Sequence, residues 1–137
     1  MEGCVFCRMV AGEIPVTKVY EDEAVFAFLD IGPISDGHTL VIPKQHCTRI
    51  HECAPDVVAD VASRLGKIAE AVTRAVEADG YNVLSNNGSA AGQVVDHLHF
   101  HVIPRKTGDG VFTEWPSYRY KPGRIEKLAT RIREHLK

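Results

Sequence analysis

The sequence lacks the features that mark several classes of protein. Its 137 residues contain no long run of charge of one sign, and a formal net charge of −2 gives no indication of a nucleic-acid groove. No apolar stretch approaches the roughly 20 residues of a membrane-spanning helix, and the start MEGCVFCRMV does not have the pattern of a signal peptide. We therefore expect a soluble cytoplasmic protein with no nucleic-acid or membrane partner, formed by one domain over residues 1–137.

Cysteine is also scarce, because the chain has only four. Two disulfides could form from them, but a chain of this size buries a core without cross-links, and the expected intracellular setting argues against oxidation. Cys47 and Cys53 are therefore expected to be ordinary thiols, either buried or on the surface. Cys4 and Cys7 form a C-x-x-C pair, which is half of a tetrahedral zinc site or, alternatively, a redox pair.

The hydrophobic pattern predicts an α+β fold. Apolar residues at three- and four-residue spacing predict a long helix that begins at Ala54-Pro55-Asp56 and ends at Asp79-Gly80, and a second helix over 125–136. Because strands adjacent in sequence favour antiparallel pairing, we expect an antiparallel sheet of about five strands with helices on one side. Alternation and turn signals predict strands over 16–20, 24–29, 38–42, 81–85 and 94–103.

Three of the seven histidines lie at alternate positions in HLHFHVIPR, as His97, His99 and His101. On an extended strand such side chains share one face. They could hold a catalytic metal, supply an imidazole that attacks phosphorus, or make structural hydrogen bonds only. The preceding loop, NNGSAAGQ, offers glycine backbone N–H groups and amide side chains to an anion. The combination favours phosphate chemistry.

These segments resemble a known family. HLHFHVIPR is similar to the H-φ-H-φ-H-φ-φ signature of the histidine-triad (HIT) superfamily of nucleotide hydrolases and transferases. Residues 4–46 resemble the amino-terminal half of its HINT-like branch, and NNGSAAGQVV resembles its phosphate loop. The resemblance covers a core over 4–105, and the extension 106–137 looks like that of microbial members. It implies a HIT-like fold and a homodimer with the long helix and a strand edge at the interface.

The resemblance also implies roles for individual residues. His99 matches the histidine that attacks the α-phosphorus, His101 the one that contacts the phosphate or leaving group, and His38 the one that orients the nucleophile. Asp30 matches the acid that holds the ribose hydroxyls, which suits a carboxylate that accepts two hydrogen bonds. The positions that match phosphate contacts are Asn86, Gly92 and Gln93, and those that match the apolar slot for the base are Val5, Phe6, Met9, Phe28 and Ile31.

Two further features complete the comparison with that family. Microbial relatives hold a structural zinc with two cysteines and two histidines, and the matching residues are Cys4, Cys7, His46 and His97. Such a site is filled by protein ligands, so no catalytic metal is expected. Many relatives have Ser or Thr where this chain has Val94. One lost hydrogen bond to a charged group costs about 1.5–3 kcal/mol, which would slow turnover without changing the reaction class.

The expected activity is hydrolysis of purine nucleoside 5′-phosphoramidates, or related nucleoside monophosphate derivatives, through a nucleotidyl-histidine intermediate on His99. Three alternatives stay open at this point. They are a dinucleoside polyphosphate hydrolase with the same mechanism, a hydrolase with catalytic zinc on the triad, and a nucleotide-binding protein without activity.

Overall fold

A five-stranded antiparallel sheet forms the centre of the protein, as seen in a computed structural model that describes residues Met1–Lys137. The strands are β1 (Lys18–Glu21), β2 (Val25–Leu29), β3 (Thr39–Pro43), β4 (Gly80–Leu84) and β5 (Phe100–Arg105), in the order β1-β2-β3-β5-β4. The helices are α1 (Val5–Val10), α2 (Pro55–Ala75) and α3 (Arg124–His135). The α+β class is confirmed. None of the three helices combines the length and apolar character that a membrane crossing requires.

Helices cover both faces of the sheet, so the expectation that they lie on one side is wrong. One face packs against α2 through a cluster that includes Val41 and Val61. The opposite face packs against α1, where Phe6 joins Phe28 and Leu40 in a second cluster. Local periodicity does not reveal α1, because a helix of only 6 residues is too short to show a repeating apolar stripe. Every residue of β3 is buried because both of its faces are covered.

The long helix ends earlier than its sequence signal indicates. It stops at Ala75, and Glu77 then adopts a left-handed φ of 53° that reverses the chain. The Asp79-Gly80 pair, expected to end the helix, instead begins the pairing of β4 with β5. The Asp79 N–H donates to the Arg105 carbonyl at 2.9 Å, and Gly80 pairs with Arg105 in the ladder. The predicted C-cap is therefore wrong, because sheet pairing uses these residues.

The histidine segment is only partly strand. Its ladder with β3 and β4 begins near Phe100, so His97 and His99 precede β5. The N–H of Leu98, between these two histidines, donates to the Cys47 carbonyl at 2.7 Å rather than to a strand. The segment is therefore held by a loop at one end and by the sheet at the other.

The cysteine expectation requires a second correction. Cys47 and Cys53 form a disulfide and are not free thiols. The single 3₁₀ turn Ile50–Glu52 between them brings their Cα atoms to 5.3 Å, within the usual range for a disulfide. The other two cysteines, Cys4 and Cys7, are free.

The C-terminal extension contains the predicted second helix, α3, which has no buried residue. The start of the extension is held against the sheet by Arg105, which forms an ion pair with Asp109 at 2.8 Å and donates a hydrogen bond to Asn82 at 2.8 Å. Residues beyond this anchor contribute aromatic side chains such as Trp115 that are exposed to solvent.

Candidate active site

A cavity of about 500 Å³ opens on the sheet face that packs against α1. Its lining is mostly apolar, with 11 hydrophobic residues among 16. A cavity of this size, with few polar groups, suits a planar base and a sugar. The predicted site residues that line it are Val5, Phe6, Met9, Phe28, Asp30, Ile31, Gly92, His99 and His101. The fold therefore brings together residues that are spread over most of the core sequence.

Hydrogen bonding defines the tautomer of His99. Its Nδ1 lies 2.7 Å from the carbonyl oxygen of His97, and a carbonyl can only accept, so Nδ1 carries the proton. Nε2 is then left with a free lone pair. The ring is buried and makes an edge-to-face contact with Phe6, at a centroid distance of 5.2 Å. With Nδ1–H fixed by the carbonyl, Nε2 is the nitrogen of His99 that can act as a nucleophile, and the residue lines the cavity.

A second hydrogen-bonded chain orients His101. The Ile34 N–H donates to Nδ1 of His38 at 3.0 Å, so the proton of neutral His38 is on Nε2. That Nε2–H donates to Nδ1 of His101 at 2.8 Å, which leaves the His101 proton on its own Nε2. His101 Nε2 is buried and has no protein partner. The chain therefore ends in a buried N–H donor without a protein partner, on a residue that lines the cavity.

Burial keeps both rings of this chain neutral. It lowers the pKa of His38, while the nearby carboxylate of Asp30 opposes the shift. Burial, together with the smaller effect of the adjacent imidazoles His99 and His38, lowers the pKa of His101 to about 4. At neutral pH the two rings are therefore uncharged, which is the condition under which the tautomer assignment holds. The Asp30 carboxylate lies 3.7 Å from His38 Nε2 and accepts the Gly32 N–H at 2.8 Å.

The loop before the histidines is held mainly by Gln93. Its Oε1 accepts the Gly88 N–H at 2.8 Å, its Nε2 donates to the Thr48 carbonyl at 2.8 Å, and its own N–H donates to the Gly88 carbonyl. The side-chain and backbone donors of Gln93 are therefore both used inside the protein, where they hold this loop in shape. Asn86 lies beside Gly92, with Nδ2 at 3.5 Å from the Gly92 carbonyl.

Val94 follows directly and is 90% exposed at the cavity wall. It lacks the hydroxyl expected from the resemblance, but its backbone N–H makes no hydrogen bond within the chain. An anion in the cavity could therefore still be bound by a main-chain donor at this position.

Cys4, Cys7, His46 and His97 converge on one point, with their ligand atoms within 4.8 Å of one another. The His97 Nε2–H donates to the Pro43 carbonyl at 2.8 Å, which leaves Nδ1 free as a ligand atom. Cys4 is also the N-cap of α1, and the i, i+3 spacing places both sulfurs near the start of that helix.

The distances within this set fit a tetrahedral zinc ion. Bond lengths of about 2.0–2.1 Å to nitrogen and about 2.3 Å to sulfur give edges of about 3.3 Å for N···N and about 3.6 Å for S···N. The two Nδ1 atoms are 3.2 Å apart. The observed S···N distances are 3.4, 3.4 and 3.6 Å. Convergence of two histidines on the C-x-x-C pair favours metal over the redox alternative.

Asp30, His38 and His101 form the other group of potential metal ligands. Here the nitrogens of the two histidines are 2.8 Å apart, which is a hydrogen-bond distance and shorter than the tetrahedral edge of about 3.3 Å. The three histidines of the row thus have separate settings: His97 faces the cysteines, His99 a carbonyl, and His101 the ring of His38. This arrangement favours covalent chemistry over a metal bound jointly by the row.

Some supporting groups could not be found from sequence patterns. Pro43 and Ile34 set the tautomers of His97 and His38 through backbone atoms, and Thr48 supports Gln93 through its carbonyl. Any residue type supplies such a group, so no residue signal marks these positions. Asn87 is different, because its side chain accepts the Ile50 N–H at 2.8 Å and its type suits a loop.

Comparison with known proteins identifies relatives over nearly the whole chain. The HIT domain family matches residues 11–108. An adenosine 5′-monophosphoramidase of Schizosaccharomyces pombe is 44% identical over 98% of this chain and 99% of its own length. A crystal structure from Streptococcus mutans superposes with a TM-score of 0.95 at 42% identity, covering 100% of this chain and 87% of that one. A zinc-bound histidine triad family protein of Mycobacterium smegmatis gives a TM-score of 0.77 at 39% identity, covering 99% of both chains.

Proposed function

The chain belongs to the HIT domain family, and on that premise we propose that it is a hydrolase of nucleoside 5′-phosphoramidates or related nucleoside monophosphate derivatives. The observation that carries the proposal is the state of His99. Its Nδ1–H is held by a carbonyl, and its Nε2 lone pair is available at a cavity sized for a nucleoside. The phosphoramidase name of a full-length relative supports the choice of substrate class.

In the first step, His99 Nε2 attacks the α-phosphorus, and the bond from phosphorus to the leaving group breaks. A covalent nucleotidyl-histidine results, in which the ring is cationic. The His97 carbonyl, already bound to Nδ1–H at 2.7 Å, stabilises this positive charge. The Nε2–H of His101 donates to the phosphate or leaving group. The leaving group takes up this proton as it departs. Water then cleaves the bond between phosphorus and Nε2 of His99, gives a proton back to His101, releases the nucleoside monophosphate and restores His99.

The remaining site residues bind the nucleotide. The proposed base slot is apolar, so stacking and burial hold a purine with little reading of its edge. Asp30 is partly exposed at the cavity wall and accepts the ribose hydroxyls. Gly92, Asn86 and the free N–H of Val94 surround the phosphate, and Gln93 holds their loop in shape.

We propose in addition that Cys4, Cys7, His46 and His97 bind one structural zinc ion. The tetrahedral distances support it, and the zinc-bound Mycobacterium smegmatis relative agrees with it. Burial raises the pKa of the Cys4 thiol, and a bound cation reverses that effect and keeps the sulfur as thiolate. When bound, zinc would connect α1, which lines the base slot, to the segment that carries His99.

We further propose a cytoplasmic homodimer. β4 is an edge strand of the sheet, with Tyr81 and Val83 exposed, so its backbone can pair with a second copy. Sedimentation equilibrium would give the mass of two chains if this is right, and that of one chain if it is wrong.

The activity is tested by release of AMP from adenosine 5′-phosphoramidate, with wild type and His99→Ala both treated with a chelator. We expect turnover by the wild type to survive chelation and to be absent in His99→Ala. Activity that disappears on chelation from protein that is still folded would instead support catalytic zinc. Folded wild type that binds AMP without turnover would contradict the phosphoramidase proposal. Dinucleoside polyphosphates would then be tested, and failure there would leave a nucleotide-binding protein.

A further inference from the structure

The Cys47–Cys53 disulfide has no part in the mechanism or in the zinc site. It joins residues separated by 6 positions and closes a small loop that begins directly after His46. Cys53 is buried at 8% exposure, and Cys47 is half-buried. In reducing compartments, disulfides are rare, and those that do form are usually transient or redox-sensing. For a protein in the proposed cytoplasmic location, this disulfide therefore calls for a functional explanation.

The loop closed by this disulfide, residues 47–53, contacts the segment that carries the nucleophile. The Cys47 carbonyl accepts the N–H of Leu98 at 2.7 Å. Leu98 is fully buried and lies between His97 and His99. The strand ladder does not reach this point, so the hydrogen bond to Cys47 replaces a ladder bond. One cysteine of the disulfide thus helps to position the carbonyl to which His99 is bound.

The same loop also supports the phosphate loop at two points. The Thr48 carbonyl accepts the Gln93 side-chain amide at 2.8 Å, and the Ile50 N–H donates to Asn87 at 2.8 Å. Gln93 in turn binds Gly88 through its other side-chain atom. The contacts of Thr48 and Ile50 join residues 47–53 to the loop that precedes the histidines. The shape of the phosphate loop therefore depends on the shape of residues 47–53.

We propose that Cys47 and Cys53 form a reversible thiol–disulfide modification site that sets the affinity of the proposed nucleotide site. A dithiol reductant attacks the disulfide and forms a mixed disulfide. Its second thiol then resolves that intermediate, so that both cysteines become thiols and the reductant becomes a disulfide, with two electrons and two protons transferred. Reduction releases residues 47–53, the phosphate loop is no longer pre-formed, and nucleotide binding must order it. The proposal rests on the proposed function.

The expected effect falls on binding more than on the chemical step. In the chain-entropy treatment, a disulfide that closes a loop of this length reduces the number of conformations open to the chain by a factor of about 50. This factor is an upper limit for the change in Kd. Because both partners of the His99 hydrogen bond lie in the histidine segment and not in residues 47–53, kcat at saturating substrate should change less than KM. A purely structural disulfide would alter thermal stability and leave Kd unchanged.

The test measures the Kd for AMP by calorimetry on zinc-loaded protein in the disulfide form and after dithiothreitol. The matched control is the double variant Cys47→Ser with Cys53→Ser, and zinc content is measured in each sample so that changes at Cys4 and Cys7 are detected. We expect reduction to raise Kd for the wild type about 5- to 50-fold, within the limit set by loop closure. The double variant should bind like the reduced wild type and should not respond to dithiothreitol. Equal Kd values for both wild-type forms, or an equal response in the double variant, would overturn the proposal.

Hydrogen exchange at the Leu98 amide provides a measurement that does not depend on nucleotide binding or on folding of the double variant. We expect this amide to exchange faster in reduced than in oxidised wild type. If AMP binds neither form and no turnover is found, the proposed function fails, and the exchange rate still tests the coupling. Unchanged protection of Leu98 on reduction would refute the coupling by itself.

Discussion

The hydrogen bond from His38 to His101 supports a prediction that separates the effect of this bond from the effect of side-chain packing. His38 is 2% exposed, and its Nε2–H donates to His101 at 2.8 Å. His38→Met fills a similar volume without a donor. His38→Gln carries an amide N–H at about the same reach and can donate to the same atom. The two variants therefore differ mainly in the hydrogen bond.

The expected loss can be worked out from this contact. Without the donor, Nδ1 of His101 is left unsatisfied in a buried setting, and the neutral ring can take either tautomer. Leaving such a group without a partner costs about 1–3 kcal/mol. At 1.36 kcal/mol per factor of ten, kcat/KM of His38→Met should fall roughly 5- to 150-fold. His38→Gln should keep most of the activity.

The assay is kcat/KM for adenosine 5′-phosphoramidate as a function of pH, with thermal unfolding as a control for folding. In the wild type, burial and the neighbouring imidazoles hold the pKa of His101 at about 4. His38 is one of the groups that lower this pKa, so the pKa of His101 should rise in His38→Met. The acidic limb of the pH profile of kcat/KM should therefore move to higher pH. Equal losses in both variants would show that packing, and not the hydrogen bond, is what matters. Full activity in His38→Met would refute the role of the chain altogether.

Three further predictions concern the metal, the leaving group and acid stability. Cys7→Ser removes one of four ligands, so zinc measured by atomic absorption should fall below one per chain with a lower Tm, and unchanged zinc would contradict the site. Val94→Ser places a hydroxyl at an exposed cavity wall, and kcat should rise up to about 10- to 100-fold, as one charge-assisted hydrogen bond allows, without loss of stability. Because burial lowers the pKa of His101 from 6.5 to about 4, unfolded chains bind more protons between these values. This contribution to the free energy of unfolding should thus be fully present above pH 6.5 and be lost as the pH falls towards 4. A free energy of unfolding from urea denaturation that does not change over this pH range would refute this.

Several parts of the protein could be predicted from the chain alone. The long helix α2 follows from its apolar spacing, and most strands lie within a few residues of their alternating segments. These elements are readable because burial of one face repeats along the local sequence. The alternating histidines and the glycine loop favoured phosphate chemistry on the same local basis. The resemblance of these segments to the HIT family then anticipated the family that the comparisons confirm.

The tertiary structure decided what each of these residues can do. The row of histidines is regular in sequence, yet His99 carries its proton on Nδ1, whereas His97 and His101 carry theirs on Nε2. The partners of the last two come from distant positions, Pro43 for His97 and His38 for His101. Backbone carbonyls and N–H groups set these states, and they leave no trace in residue type. The Cys47–Cys53 disulfide is likewise invisible to reasoning from compartment and chain size, because it depends on a local turn that brings two Cα atoms together. Sequence alone determined which chemical groups are present, and the fold determined their protonation, their partners and the direction in which each can act.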